Sequence, residues 1–462
     1  MAKLDIPQTK GEVPPVKTGF WTRFRQSRHF ALTIWLLRVI VGGVFVMSGL
    51  VKAIDIWGFL FKIEEYLAVW GMTQPRSVIL LATIIISGYE FVFGGLLATG
   101  CYKRVSAWAL TAMMAVMLPL TLYLAVANPV SDCGCFGDFW VISNTATFIK
   151  NLLLTAALVV LCISNGKFRR GVYRPAIQWI VAVLLSVFIV IVALYGYNVQ
   201  PMADFRPYPA GTSIVPDDSE DEGEMLFIYE KDGEQKEFSA DELPDSTWTF
   251  VDRKNLVPKS ADGELLTIYD REGNDVTDAA ISSEGRELLL VIPEPRMVDI
   301  SYTYFLNELK QWADTSDVAM VCLIADDRRA MDFWQDVSMA SYDIYGVEDT
   351  KLKELSRGTM SLVELDNGVI KSKYALSSIR NDIISEGPKG KDLLERMAPD
   401  PGWWLRTLSG TLVALLLLVY IFQRLILAIN SRIRRFYQKK HVNLHPEKVT
   451  PTRHADPDDD KK

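Results

Sequence analysis

At 462 residues the chain has room for two or more domains, and its 49% hydrophobic share averages over unlike parts: apolar runs crowd the first 200 residues and return near Trp403. Residues 201–400 read as an ordinary soluble domain. The net charge of −7 and the lack of a basic face with interleaved aromatics give no footing to a nucleic-acid partner, and five cysteines are few for a disulfide scaffold.

Residues 1–29 are polar, with Pro14, Pro15 and several basic side chains. They lack the apolar core and small-residue cleavage site of a signal peptide, so they read as a cytoplasmic arm ahead of an uncleaved first membrane helix. Five apolar segments follow, at 30–54, 77–100, 105–127, 145–163 and 177–195, each near the ~20 residues that cross a hydrocarbon layer. Pro119 falls inside the third. A sixth segment, 403–429, stands alone downstream with Trp403 and Trp404 as interfacial anchors. Basic residues cluster after the second segment (Lys103, Arg104), after the fourth (Lys167, Arg169, Arg170, Arg174) and after the sixth (Arg432, Arg434, Arg435, Lys439, Lys440). The positive-inside rule puts these loops and both termini on the cytoplasmic side of the membrane. Alternation then puts the turn near Cys133, residues 196–402 and the acidic run 217–224 outside.

The external region opens on a Pro-rich linker. Segments 225–230 and 266–270 read as strands, each followed by a turn, and resemble each other enough to suggest a small β repeat. Next come a strand at 287–292, a helix at 302–313, a strand at 318–325, a helix at 328–337 and an extended piece at 342–347. A hairpin turns at Asp366-Asn367-Gly368, and a closing helix is expected over 376–384. This β-α-β-α-hairpin-α order is the thioredoxin pattern. The loop after the first core strand, Pro293 to Asp299, carries no cysteine, and Arg357-Gly358-Thr359-Met360 stands where a proline is expected before the hairpin. Such a domain runs no dithiol chemistry of its own.

The candidate chemistry lies in Asp132-Cys133-Gly134-Cys135-Phe136-Gly137-Asp138. Gly134 and Gly137 let the backbone turn tightly enough to bring Cys133 and Cys135 together. In an oxidising compartment the pair can form a disulfide. Closing so small a ring stores strain, and a strained disulfide is oxidising and labile. The other readings are a static bridge that braces the turn, or half a metal site completed by Asp132 and Asp138. All four histidines fall on the cytoplasmic side, so no His-based metal site forms beside the pair. Phe136 and Trp140 are expected to seat the turn at the membrane interface. Lys52, Glu90 and Lys150 lie in or near the spans, where an unpaired charge is costly. They read as a polar seat or proton relay, with a membrane quinone as the possible oxidant. The bland alternative has Lys52 and Lys150 reaching the outer interface while Glu90 pairs with Arg38. Gly88, Gly94, Gly95 and Gly100 read as close helix packing, and Cys101, Cys162 and Cys322 as packing residues.

Residues 1–165 resemble the DoxX/MauE group of four-helix membrane proteins, closest to the MauE (methylamine utilisation) branch. The resemblance is carried by Ser48-Gly49-Leu50-Val51-Lys52, by Glu90 with Gly94, Gly95, Leu96, Leu97 and Gly100, by Cys133-Gly134-Cys135-Phe136-Gly137, and by Phe148-Ile149-Lys150-Asn151. It implies a membrane protein that supports disulfide or redox maturation of exported proteins, with methylamine dehydrogenase as the family's named client. The added external part resembles the fused architecture of Bacteroidetes-type DoxX relatives. The expected fold is therefore an α-helical membrane bundle, a MauE/DoxX-like four-helix core plus two further spans, carrying an α+β thioredoxin-like external domain. The expected divisions are 1–29, 30–165, 166–200, 201–402, 403–429 and 430–462. Two functions remain open: a thiol–disulfide relay through Cys133 and Cys135 serving an exported thiol protein, and a non-catalytic scaffold whose external domain binds an envelope partner.

Overall fold

A computed structural model describes residues 28–130, 133–164, 171–214, 225–231, 234–239, 248–255, 266–325, 327–380, 383–384, 392–397 and 400–444. The expected N-terminal arm up to residue 27, the acidic run 217–224 and the chain beyond 444 lie outside the described residues.

The membrane half is built from α1 (Arg28–Ile54), α2 (Ile56–Val69), α3 (Arg76–Thr99), α4 (Lys103–Ala127), α5 (Asn144–Ile163) and α6 (Gln178–Asn198). Among the described residues, five of these, all but α2, together with a long C-terminal helix (Pro401–Leu444) make six helices long and apolar enough to cross a membrane. α1 and α3 pack backbone to backbone: a Cβ on Gly49 would fall 2.5 Å from the Ser87 carbonyl, and one on Gly94 would fall 2.8 Å from the Gly42 carbonyl. Gly95 serves a different neighbour, Leu185 of α6. Gly100, at φ +75°, ends α3 in the left-handed region.

α2 is the element that hydropathy does not announce. Asp55 caps it by accepting from the Gly58 N–H at 3.0 Å, and Ile56, Trp57, Phe59 and Leu60 form its buried face. Its 14 residues extend only ~21 Å, short of the ~30 Å hydrocarbon layer, so it packs over the end of the bundle instead of crossing.

The two ends of the bundle differ. At one end Val172 N–H donates to the Thr99 carbonyl, and Arg174 N–H donates to Gln423 Oε1 of the C-terminal helix. The basic loops at Lys103 and Arg174 therefore share that end. The cysteine turn, α2 and the α/β domain occupy the other, where Trp57 Nε1 donates to the Tyr197 carbonyl and Ser377 Oγ to the Asn198 carbonyl.

The downstream region holds two sheets. β1 (Met225–Lys231), β2 (Glu234–Ser239) and β3 (Thr249–Asn255) form an antiparallel sheet in the order β2-β1-β3. The second sheet has six strands: β4 (Ile268–Tyr269), β5 (Arg286–Ile292), β6 (Val318–Ala325), β7 (Asp343–Val347), β8 (Ser361–Asp366) and β9 (Val369–Ala375), in the order β4-β7-β6-β5-β8-β9. β5, β6 and β7 run parallel, while β8 and β9 form an antiparallel hairpin beside β5. Asn367 at φ +51° and Gly368 at φ +72° supply the turn. The central strand β5 is buried on both faces from Glu287 to Ile292. α7 (Thr303–Thr315) and α8 (Arg328–Ser338) cover one face with Leu306, Leu309, Met331 and Trp334, and α9 (Asp349–Leu355) packs Leu352 and Leu355 on the other.

Two expectations are corrected. The segments at 225–230 and 266–270 enter different sheets, so they are not a repeat. The closing helix over 376–384 is only a turn, Leu376–Ser378, after which Ile379 is extended. The last helix contains the expected span at 403–429 and, with no glycine or proline to end it there, runs on to Leu444, ~66 Å in all and twice the hydrocarbon thickness.

Candidate functional site

The turn that carries the cysteines is set by the residues flanking it. Asn144, opening α5, donates from Nδ2 to Asn128 Oδ1 at 2.7 Å and to the Val130 carbonyl at 2.9 Å. Gly134 (φ +64°) and Gly137 (φ +53°) take the left-handed backbone, and Gly137 N–H closes the turn on the Gly134 carbonyl at 3.1 Å. Asp132 and the side chain of Asp138 lie outside the described residues. Among those described, no three His, Cys, Asp or Glu groups are placed to hold a metal ion.

Within the turn the two sulfurs stand 2.7 Å apart. Both are free thiols, Cys133 buried and Cys135 half-buried. The turn dips into the bundle: Ser48 Oγ lies 2.8 Å from the Cys135 carbonyl and 2.7 Å from Glu90 Oε2, its one proton serving either acceptor. Lys52 Nζ donates to both Glu90 oxygens, at 2.7 and 2.8 Å, with both side chains at or below 5% exposure. Lys150 Nζ sits 4.3 Å over the Phe136 ring, a cation–π contact.

Hydrogen bonding from the Cys133 thiol pulls the Cys135 thiol down to about 6. Lys150 and Lys52 add to this, against burial and against Glu90. Cys133 moves the opposite way, because its bond to Cys135 and its burial hold the proton on. The two thiols are pushed in opposite directions, so one sulfur of the pair gives up its proton more readily than the other.

The structure brings Cys135, Lys52, Glu90 and Lys150 to the wall of one cavity, together with Ser48 and Phe136. Its volume of about 40 Å³ holds a few waters. The alternative pairing of Glu90 with Arg38 is not formed. Arg38 is buried near the opposite end of α1, against Gly100, where its Nε and Nη1 make no hydrogen bond. Phe136 is buried in the bundle instead of seated at an interface, while Trp140 is 62% exposed. Cys101 and Cys322 are fully buried, and Cys162 lies 3.5 Å from Thr111 Oγ1.

Sequence reasoning missed the cover over this site. Tyr66 of α2 donates from Oη to the Cys133 carbonyl at 2.6 Å, and a Cβ on Gly134 would fall 2.7 Å from Lys62 Cγ. The α/β domain in turn holds α2. Arg357 forks onto Asp55, Arg76 bridges Glu64 (3.1 Å) to Glu294 (2.7 Å), and Lys353 and Arg357 sit over the Phe61 ring at 5.2 and 5.7 Å. The alternation of apolar and charged residues in Ile56–Val69 is the signal that a 20-residue hydropathy window averages away.

These features define a multi-pass membrane protein whose α/β domain is docked, through a short capping helix, over a cysteine turn seated on a buried ion pair. Residues 30–164, from α1 through α5 and including the turn, match the family model of the methylamine utilisation protein MauE, and this stretch is a MauE-family membrane domain. Residues 223–259, which contain β1, β2 and β3, match a domain of unknown function (DUF8463). No curated protein and no solved structure matches the chain.

Proposed function

We propose that the chain is a thiol–disulfide exchange protein of the bacterial inner membrane, with both termini cytoplasmic, acting on exported proteins through Cys133 and Cys135. The observation that carries this reading is the placement of the pair: a glycine turn holds the two sulfurs 2.7 Å apart, and Cys135 shares one cavity wall with Lys52 and Lys150. In the oxidising direction an exported dithiol attacks the Cys133–Cys135 disulfide. A mixed disulfide forms, the partner's second thiolate displaces it, and two electrons and two protons pass from the partner to the pair. The reverse exchange, begun by the Cys135 thiolate on a second protein disulfide, returns the pair to its oxidised form. Neither step requires a bound cofactor.

The α/β domain reads as thioredoxin-like and redox-silent. A parallel β-α-β unit followed by an antiparallel hairpin supports this, with Glu294 in the loop where a cysteine pair would stand and Arg357 opening the Arg357–Met360 stretch that stands where a proline is expected. Both positions are spent on docking to the membrane domain.

Thiol trapping in cells tests the relay. Both redox states of Cys133–Cys135 are expected, and a pair found in one state under all conditions would remove the reading. A second reading, a scaffold with an envelope partner, is favoured by the cleft of about 920 Å³ beside Glu294, Met297 and Phe333. Full function in a Cys133→Ser/Cys135→Ser chain, lost on deletion of residues 225–390, would select it.

A further inference from the structure

Just past the end of α6 the chain folds back onto the edge of the six-stranded sheet, and there the buried charges do not balance. Asp204 accepts from Arg206 Nε at 2.6 Å, from Arg206 Nη2 at 2.7 Å and from Lys373 Nζ at 2.8 Å. The two cations are 2% and 7% exposed. With the neighbouring Asp55–Arg357 pair included, two carboxylates face three buried cations, and Lys373 Nζ also donates to the Tyr208 carbonyl. With Lys371, Ser372 and Gln200, the residues Asp204, Arg206 and Lys373 line a cavity of about 210 Å³. One buried donor of that lining, Arg206 Nη1, has no hydrogen-bond partner. A buried guanidinium N–H left without an acceptor is costly, and so is a buried charge without a counter-charge.

We propose that this cavity is an anion site for a phosphate group, from a lipid headgroup or from free orthophosphate, held by Arg206 and Lys373. The position suits a headgroup, because Gln200 lies two residues past Asn198, the last residue of an apolar helix of membrane-crossing length. The chemistry suits a phosphate, since a buried guanidinium and a buried ammonium line one space. The titration of Lys373 agrees. Burial and then the Arg206 charge push its pKa down to about 7, with Arg357 adding to the fall and Asp204 opposing it. An anion in the cavity relieves the same crowding.

The test uses the full-length protein in detergent, titrated with orthophosphate at an ionic strength held constant with chloride. Melting temperature is the readout. In parallel, the protein is taken from bilayers of phosphatidylcholine with and without phosphatidylglycerol, and native mass spectrometry identifies retained lipid. Orthophosphate should raise the melting temperature where chloride does not. Lys373→Met keeps the Arg206–Asp204 pair and should fold, but should weaken the phosphate response ~10- to 100-fold, the loss expected for one charge-assisted bond. Lys373→Arg should retain the response. A retained phosphatidylglycerol that blocks the phosphate response identifies the headgroup as the source; a response without retained lipid identifies the free anion. No response to orthophosphate together with no retained phosphatidylglycerol overturns the proposal, as does an undiminished response in Lys373→Met. None of these residues touches the cysteine turn, so the outcome is independent of the exchange reading.

Discussion

Arg357 and Asp55 lie 302 residues apart in sequence and meet as a forked ion pair, Nε to Oδ1 at 3.0 Å and Nη2 to Oδ2 at 2.8 Å, with side chains 4% and 6% exposed. Asp55 is also the N-cap of α2, so one carboxylate starts the capping helix and anchors the α/β domain to it. Arg357→Met strands a buried carboxylate and should cost about 3–5 kcal/mol, whereas Arg357→Met with Asp55→Asn should recover much of the loss. A double-mutant cycle on thermal or denaturant unfolding measures the coupling. Additive losses would mean that the pair does not join the two halves.

Site-resolved alkylation of the reduced protein checks the polarisation of the cysteine pair. The rate at Cys135 should rise through a midpoint near about 6 and then level off, while Cys133 stays slow across that range. Lys150→Met removes a charge that favours the thiolate and should move the midpoint up by on the order of one unit. Glu90→Gln removes a charge that opposes it and should move the midpoint down. Two equally reactive thiols titrating near their ordinary value would contradict this.

The glycines of the turn should differ in their tolerance of a side chain. Gly137→Ala meets only the cost of a left-handed backbone, ~1–3 kcal/mol, since its nearest new neighbour is Val51 Cγ1 at 3.9 Å. Gly134→Ala meets that cost and also displaces Lys62, whose Cγ is 2.7 Å away. Melting curves should rank Gly134→Ala as the more damaging, with Lys62→Ala as a partial suppressor.

Glu287 predicts a pH dependence for the α/β domain. Burial raises its carboxyl from the usual 4.5 to about 7, although Ser282 N–H donates to it at 3.1 Å. The folded chain binds this proton more tightly than the unfolded chain. Its contribution is therefore complete below about 4.5 and falls away as pH rises toward 7 and beyond, by roughly 2–3 kcal/mol. Glu287→Gln should stabilise the protein at pH near 8 and flatten the profile, which melting curves across pH would show.

The cost of charge in hydrocarbon made the polar centre legible in the sequence. Lys52, Glu90 and Lys150 had to find partners within an apolar bundle, and they converge beside Cys135. Which charge pairs with which was not legible, because that depends on helix stagger. Gly49 of α1 packs at Ser87 and Phe91 of α3, so α3 begins roughly two turns beyond the end of α1, and Glu90 sits level with Ser48 and within reach of Lys52, far from Arg38. In the α/β domain the strands were readable from apolar runs such as Leu288–Ile292. The docking of Arg357 and Glu294 was not, since a charged loop residue has the same sequence signature whether it meets solvent or a partner.

The Asp55–Arg357 pair also sets an order on biosynthesis. A ribosome releases the Asp55 carboxylate 302 residues before it supplies the guanidinium that neutralises it. Helices α1 to α6 and the sulfur turn are thus translated while the anchor of their covering helix is not, and a polypeptide truncated before residue 357 leaves that carboxylate without its forked partner.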